Sequence, residues 1–333
     1  MNRVEREIRD TLVDVPKVFE FVKEWLRRVN LDFLFNSDVV YLVGCGSSYY
    51  ISIVGARYIT KKLGVEARAV PGGEVYFYID ENVGRKDLRK SAILVSRSGE
   101  STEVILAGKK LRELGIPTLG ITIEEGTSIF DVSDEIMLLP IDEGSVVMTK
   151  SFTTMVMAIQ MVVDWKVGNA DFKGIERAIN NLEIVLKDSY ALVEDLELVK
   201  YGHFVFLGGG MYEGVARESA LKLQEMSLSV TEAFSTYEYR HGPKSLVEDG
   251  MLITIFMRGE EEERKLKREL EGYGGKVVTV GVGGSDIVLG EDVVSSVFMG
   301  AIFSQVLGLK VAERKGIDVE KPRNLTKIVR IDG

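Results

Sequence analysis

The chain of 333 residues has one cysteine, Cys45, and two histidines, His203 and His241. A single thiol makes no intramolecular disulfide, and one cysteine with two histidines makes no zinc cluster. Carboxylates remain as magnesium ligands, but no ligand spacing announces a metal, so neither metal nor other cofactor is expected. An excess of basic charge is also lacking. Lys plus Arg number 42 against 51 Asp plus Glu, a net −9, which is the wrong field for a polyanion and excludes nucleic acid as an expected partner. The longest apolar run, Met155–Trp165, is broken by Gln160 and Asp164 and is about half the roughly 20 residues of a membrane helix. The N-terminus MNRVEREIRD is charged where a signal peptide is apolar, so a cytoplasmic chain with no membrane partner is expected. Glutamine occurs only at positions 160, 224 and 305 beside abundant Glu, Lys and Arg, a composition seen in proteins from hot environments.

What is present is 45% apolar and 28% charged residues, enough for about two globular domains at roughly 150 residues each. Apolar positions from Val4 to Leu26 recur at helical spacing, so one or two leading helices are expected, with Pro16 expected to divide the stretch. Val39–Val43 then reads as a strand, Gly44-Cys45-Gly46 as a turn, and Tyr49–Leu63 as a helix. Ala92–Val95 leads likewise through Ser96–Glu100 into a helix ending at Leu114, and Thr118–Thr122 and Glu135–Leu139 give further strands. This alternation predicts an α/β fold with a parallel sheet covered by helices on both faces. Residues 150–165 and 171–198 read as helices, the second polar enough to bridge two domains. Phe204–Leu207, Gly208–Gly210 and a helix from Tyr212 restart the pattern, followed by strands at Leu252–Phe256 and Val277–Val280. A shift of 164 residues places Gly44 on Gly208, Gly46 on Gly210 and Ala56 on Ala220. The expectation is an internal duplication, with domains at 1–168 and 169–333.

Gly44-Cys45-Gly46-Ser47-Ser48 sets two glycines and two hydroxyls before a helix, where backbone N–H groups and the positive dipole end favour an anion. The same residues also suit a tight turn with no ligand. Tyr49 stands where G-x-G-x-x-G needs its third glycine, and no G-K-[ST] follows, so neither dinucleotide nor NTP is implied. Ser96-Arg97-Ser98-Gly99-Glu100-Ser101 is a second hydroxyl-rich turn, and both turns fall at the carboxyl ends of strands, where open parallel sheets bind ligands. The serines would donate to a phosphate monoester and Arg97 would add charge, or Ser101 would cap the next helix. The matching stretch of the second copy, Met257–Glu262, has no hydroxyl and more negative charge, so phosphate is expected in the first copy only. Glu218, Lys222 and Glu225 share one helix stripe, a solvated face by spacing alone but one beside the Gly208–Gly210 turn. His241 lies in the loop Tyr237–Pro243, where a histidine suits proton transfer, whereas His203 at a strand entry reads as structural. Lys327 by itself reads as a solvated tail lysine.

In this order, the stretches Cys45–Tyr49, Ser96–Glu100, Val147–Thr153, Glu218–Glu225, Glu238–Pro243 and Pro322–Lys327 resemble the sugar isomerase (SIS) superfamily, specifically the isomerase half of glucosamine-6-phosphate synthases, over residues 40–330. The resemblance implies two tandem SIS domains and a sugar-phosphate site at Ser48, Ser96, Ser98 and Ser101, with Cys45, Gly46, Ser47, Arg97, Val147 and Thr149 in the stretches around it. It implies a proton-transfer base at Glu225, beside Glu218 and Lys222, and a Schiff-base lysine at Lys327. It implies a ring-opening histidine at His241, reaching the site of a neighbouring subunit in a homodimer. Members commonly carry Gln in place of Arg97 and Ser in place of Met148, which leaves the sugar open.

The synthases take ammonia from a domain whose nucleophile is a cysteine directly after the initiator Met, and residue 2 here is Asn. The expected reaction is therefore the reverse, glucosamine 6-phosphate to fructose 6-phosphate and ammonia, as in the similar SIS-type deaminases of archaea. His241 would open the ring, Glu225 would carry a proton between C2 and C1, and Lys327 would capture C2 if a buried or cationic neighbourhood lowered its pKa. Ile328–Ile331 is expected to anchor that lysine. A phosphosugar-amine deglycase, an aldose-ketose phosphate isomerase and a non-catalytic phosphosugar sensor remain as alternatives.

Overall fold

Parallel strands inside a sheet are covered on both faces, so they read as continuous apolar runs rather than alternating ones. In the computed structural model, which describes residues 1–84 and 87–327, such runs build two five-stranded sheets whose pairings are all parallel. The first sheet takes β1 (Val39–Gly44), β2 (Glu66–Pro71), β3 (Lys90–Val95), β4 (Thr118–Thr122) and β5 (Glu135–Leu138) in the order β2-β1-β3-β4-β5. The second takes β6 (His203–Gly208), β7 (Val230–Phe234), β8 (Met251–Met257), β9 (Lys276–Gly281) and β10 (Ile287–Val288) in the order β10-β9-β8-β6-β7. Substituting each strand by its counterpart makes the two orders identical, so the duplication extends to topology. Every residue of β1, β4 and β8 is buried. The three strands that apolar runs do not reveal, β2, β7 and β10, all lie at sheet edges, where one side is open and sequences such as Glu66-Ala-Arg-Ala-Val-Pro suffice.

By packing, the chain divides into two compact units with one sheet each. The first unit comprises Val13–Gly144, Thr154–Phe172 and, of the tail, Thr326 and Lys327; the second comprises Met1–Leu12, Ser145–Thr153 and Lys173–Leu325. A division at 168/169 separates the two sheets, while the short segments 1–12, 145–153 and 326–327 belong with the sheet remote from them in sequence.

Of the one or two leading helices expected there is one, Arg3–Leu26, and Pro16 does not divide it. An interior proline costs about 3 kcal/mol. Val15, Val18, Phe19, Val22 and Leu26 are all buried along the helix, and at roughly 1.5–3 kcal/mol per buried side chain they outweigh it. The stretch 171–198 is two helices, Lys173–Asn180 and Leu182–Asp195. They break at Asn181, whose side-chain amide donates to the carbonyls of Val288 and Leu289 at 2.9 and 3.1 Å.

Asp164, which interrupts the apolar run, is buried and paired within the first unit. It accepts from the Tyr58 hydroxyl at 2.8 Å and Asn169 Nδ2 at 3.0 Å, with Lys62 Nζ at 3.2 Å. Among the described residues one stretch, Val293–Lys315, is long and apolar enough to cross a membrane by length and composition, and 83% of its most apolar window is buried inside the protein, as a core helix is.

The helix Ser47–Leu63 starts so close to the end of β1 that a Cβ on Gly44 would stand 2.4 Å from Ser48 C and 2.5 Å from Ser48 O. Backbone cannot yield as a side-chain tip can, so Gly44→Ala is expected to cost at least the roughly 1–3 kcal/mol of an overpacked site. Urea denaturation should show a lower midpoint at unchanged slope.

Candidate active site

The chain passes from β1 to β2 on one side and from β2 to β3 on the other, so the strand order reverses between β1 and β3. Doubly wound sheets hold ligands in the crevice outside the carboxyl ends of the strands at such a point. The two hydroxyl-rich turns stand there. Gly46 adopts φ 55° immediately before the Ser47–Leu63 helix, and Gly99 adopts φ 64° where a Cβ would meet Thr127 Oγ1 at 1.9 Å. Ser47, Ser48, Ser96 and Ser98 are all buried, and Ser101 is half-buried. Ser101 makes no side-chain cap on the helix Thr102–Glu113; Ser96 Oγ donates to its hydroxyl at 3.3 Å, and Ser98 Oγ accepts from Glu100 N–H at 3.2 Å. The capping alternative is therefore set aside.

The turn after β4 is stitched to this one. Thr122 Oγ1 and Ile123 N–H donate to the Arg97 carbonyl at 3.0 and 3.3 Å, and Ile129 N–H donates to the Gly99 carbonyl at 3.0 Å. The Glu100 carboxylate accepts from Ser128 N–H at 2.7 Å and Ser128 Oγ at 2.9 Å.

Arg97, expected to add charge to a phosphate, has that charge already balanced: its Nη1 lies 3.0 Å from Glu143 Oε2, with the two side chains 6% and 0% exposed. Glu143 lies in Pro140-Ile-Asp-Glu-Gly144, and a carboxylate there carries no local signal of a partner 46 residues away. Burial, first of all, pushes the Cys45 thiol up to about 11, although the amides of Gly72 and Gly73 oppose it. Cys45 is therefore a neutral thiol and no nucleophile.

The equivalent crevice of the second copy is filled by the chain itself. Glu263 Oε2 accepts the N–H groups of Arg258, Gly259 and Glu260 at 2.8, 3.1 and 3.1 Å, and Arg258 Nη1 donates to the Gly209 carbonyl at 3.2 Å. A buried carboxylate thus sits on the turn after β8, and a guanidinium covers the turn after β6.

Elsewhere in the second unit, Glu218, Lys222 and Glu225 form no solvated face. On the helix Tyr212–Ser227, Lys222 Nζ lies 3.3 Å from Glu218 Oε1 and 2.5 Å from Glu225 Oε2, with side-chain exposures of 0% for Lys222 and Glu218 and 19% for Glu225. Burial pulls the Lys222 pKa down, but the two carboxylates outweigh it and hold the ammonium above the ordinary lysine value. Val147, Met148 and Thr149 are buried, and the Thr149 carbonyl accepts from Gln305 Nε2 at 3.1 Å. The Glu7 carboxylate accepts from Ser145 N–H at 3.2 Å. Neither Gln305 nor Glu7 is signalled by the sequence around it.

His241 is exposed between the short turns Glu238–Arg240 and Pro243–Leu246, and its imidazole has no side-chain partner among the described residues. His203 Nε2 lies 2.8 Å from Glu232 Oε2 across the β6–β7 pair, a structural contact. Lys327 belongs to the first unit and places Nζ 2.9 Å from Glu124 Oε1, with 30% of its side chain exposed. Its partner is thus a half-exposed carboxylate, where a buried or cationic neighbourhood was the condition for a lowered pKa. The expected anchor, Ile328–Ile331, lies outside the described residues. Among the described residues no group of three or more His, Cys, Asp or Glu is placed to hold a metal ion.

A family model described as the SIS domain matches residues 33–164 and 197–288, and the chain belongs to that family. In particular, it resembles a crystal structure of glucosamine-6-phosphate deaminase from Thermotoga maritima, with 35% identity and a TM-score of 0.88 over 98% of this chain and 99% of that one. Among curated proteins it is 29% identical over 323 residues to the glutamine–fructose-6-phosphate aminotransferase (isomerizing) of Fusobacterium nucleatum, covering 89% of this chain and 52% of that protein. The Sulfurisphaera tokodaii protein of the same name is 27% identical over 98% of this chain and 55% of its own length. The chain thus spans about half the length of these curated relatives.

Two predictions follow from the geometry. Ser48→Ala combined with Ser98→Ala should weaken calorimetrically measured binding of a phosphate monoester at least about 10-fold, since a hydrogen bond to a charged group is worth roughly 1.5–3 kcal/mol. Lys222→Met removes the buried ammonium from between two carboxylates and should cost about 3–5 kcal/mol in urea denaturation at pH 7. In the wild type, Lys222's raised pKa means its stabilisation is complete below the ordinary value of 10.5 and is lost as pH climbs through the folded value above it; alkaline denaturation should show this loss in the wild type and not in Lys222→Met.

Proposed function

We propose that this chain is an aminosugar-phosphate deaminase of the SIS type, converting glucosamine 6-phosphate and water to fructose 6-phosphate and ammonia. The observation that carries the reading is Glu225, whose inner side is charge-balanced by buried Lys222 while the side chain keeps some exposure. One such carboxylate can take the proton from C2 and return it to C1 of the opened sugar. Support comes from the 35% identity to a deaminase matched over 99% of its length, and from the contrast between the second copy, where the Glu263 carboxylate takes three N–H groups of the turn, and the hydroxyl-bearing turns of the first.

In this reading Ser48, Ser96, Ser98 and Ser101 hold the phosphate. His241 opens the ring, taking the O1 proton and giving one to O5; its exposure suits service to a second copy in a homodimer. Proton transfer by Glu225 converts the C2 amine to a ketimine. Lys327 adds to C2, ammonia leaves, and water releases the ketose.

A panel of hexosamine and hexose 6-phosphates, read for ammonia and ketose phosphate, tests this. Glucosamine 6-phosphate should give both products. Ketose phosphate from a hexose phosphate, with no ammonia from any aminosugar, would make the protein an aldose-ketose isomerase instead. Glu225→Gln should lower kcat about 100-fold or more with little change in KM, and retained exchange of the C2 proton with deuterium in that variant would remove Glu225 from the role.

A further inference from the structure

Lys327 does not wave free at the end of the chain. Its ammonium meets Glu124 Oε1 at 2.9 Å, and Glu124 stands just beyond the carboxyl end of β4, on the same sheet edge as the phosphate turns. The backbone around Glu124 is fixed on both sides: its N–H donates to Thr122 Oγ1 at 3.3 Å, and its carbonyl accepts from Thr127 Oγ1 at 3.2 Å. Thr122 Oγ1 and Ile129 N–H in turn donate to the Arg97 and Gly99 carbonyls. A short run of hydrogen bonds therefore ties the backbone of Glu124, whose carboxylate holds Lys327, to the turn that carries Ser96, Ser98 and Ser101. Half-exposed ion pairs contribute little to folding stability, and with exposures of 30% and 40% this pair is one of them. Its consequence is placement rather than stability.

We propose that Glu124 is the positioning residue of Lys327, setting the amine at a fixed offset from the phosphate turn and accepting its proton. The inference rests on the reading that Lys327 is the amine that adds to C2. The ammonium gives one proton to the Glu124 carboxylate, and the neutral amine forms a bond to C2 of the protonated ketimine. A proton moves from the new C–N nitrogen to the old one, the old C–N bond breaks, and ammonia leaves and takes the proton from Glu124 as ammonium. Water then hydrolyses the Lys327 iminium to the ketone and restores the lysine ammonium. No oxidant or reductant enters, and the carboxylate ends as it began.

The test uses the full chain with glucosamine 6-phosphate and compares Glu124→Gln, Glu124→Asp, Glu125→Gln and Lys327→Ala. Three readouts are needed: kcat and KM, the mass of sugar trapped on Lys327 by borohydride, and calorimetric binding of a phosphate monoester. Glu124→Gln, which keeps the shape and removes the charge, should lower kcat about 10-fold or more and reduce trapping in step, with KM and phosphate binding near wild type. Glu124→Asp should restore part of the loss, and the exposed neighbour Glu125→Gln should match wild type. Wild-type kcat and trapping in Glu124→Gln, beside an inactive Lys327→Ala, would overturn the role of Glu124 alone. Full turnover in Lys327→Ala would instead overturn the reading of Lys327, and the inference with it.

Discussion

The reversal of strand order between β1 and β3 is the constraint on which the site depends. A parallel sheet that grows first to one side of β1 and then to the other cannot cover the carboxyl ends of both strands with one connection, so a crevice is left there. The helices that follow those strands, Ser47–Leu63 and Thr102–Glu113, start at the crevice, and their positive dipole ends favour an anion. Gly44 and Gly99 permit the close approach this demands, each at a position where a Cβ would strike backbone or a neighbouring side chain.

Because the second sheet has the same order, it has the same crevice, and topology cannot say which copy takes a ligand. The two copies differ in what occupies each turn. Glu263 gives three N–H groups of the second copy a permanent carboxylate, and Arg258 binds the Gly209 carbonyl. The first copy answers the same need with neutral hydroxyls, which hold one another loosely, as Ser96 and Ser101 do at 3.3 Å. Charge-assisted hydrogen bonds are the stronger kind, so the N–H groups of the second copy's turn are held by an internal carboxylate, while the first copy's turns carry neutral hydroxyls.

Charges removed from water recur around both units, as Arg97 with Glu143 and as Lys222 with Glu218 and Glu225. Apolar residues of similar volume commonly give equal or greater stability than such groups, whereas removal of one partner is costly. Their value is therefore placement. Lys222 fixes two carboxylates on one helix and leaves Glu225 the more exposed, and Glu143 holds Arg97 where its charge is spent before any ligand arrives.

Periodicity and turn chemistry alone determined the central strands, the duplication and the two hydroxyl-rich turns, because continuous apolar runs and glycine–serine turns are local signals written in adjacent residues. The resemblance carried by six short stretches added roles for Glu225, His241 and Lys327, but no surroundings. Only tertiary structure decided the edge strands β2, β7 and β10, whose sequences, short or mixed in polarity, become strands by pairing with a buried neighbour. It also decided that the helix through Pro16 continues, because burial along its length exceeds the loss of one hydrogen bond. The partners of the site residues were equally illegible: Glu143 lies 46 residues from Arg97, and Glu124 lies 203 from Lys327. A charge gives no sign in sequence of the opposite charge it will meet, since that meeting is set by how strands order in a sheet and not by spacing along the chain.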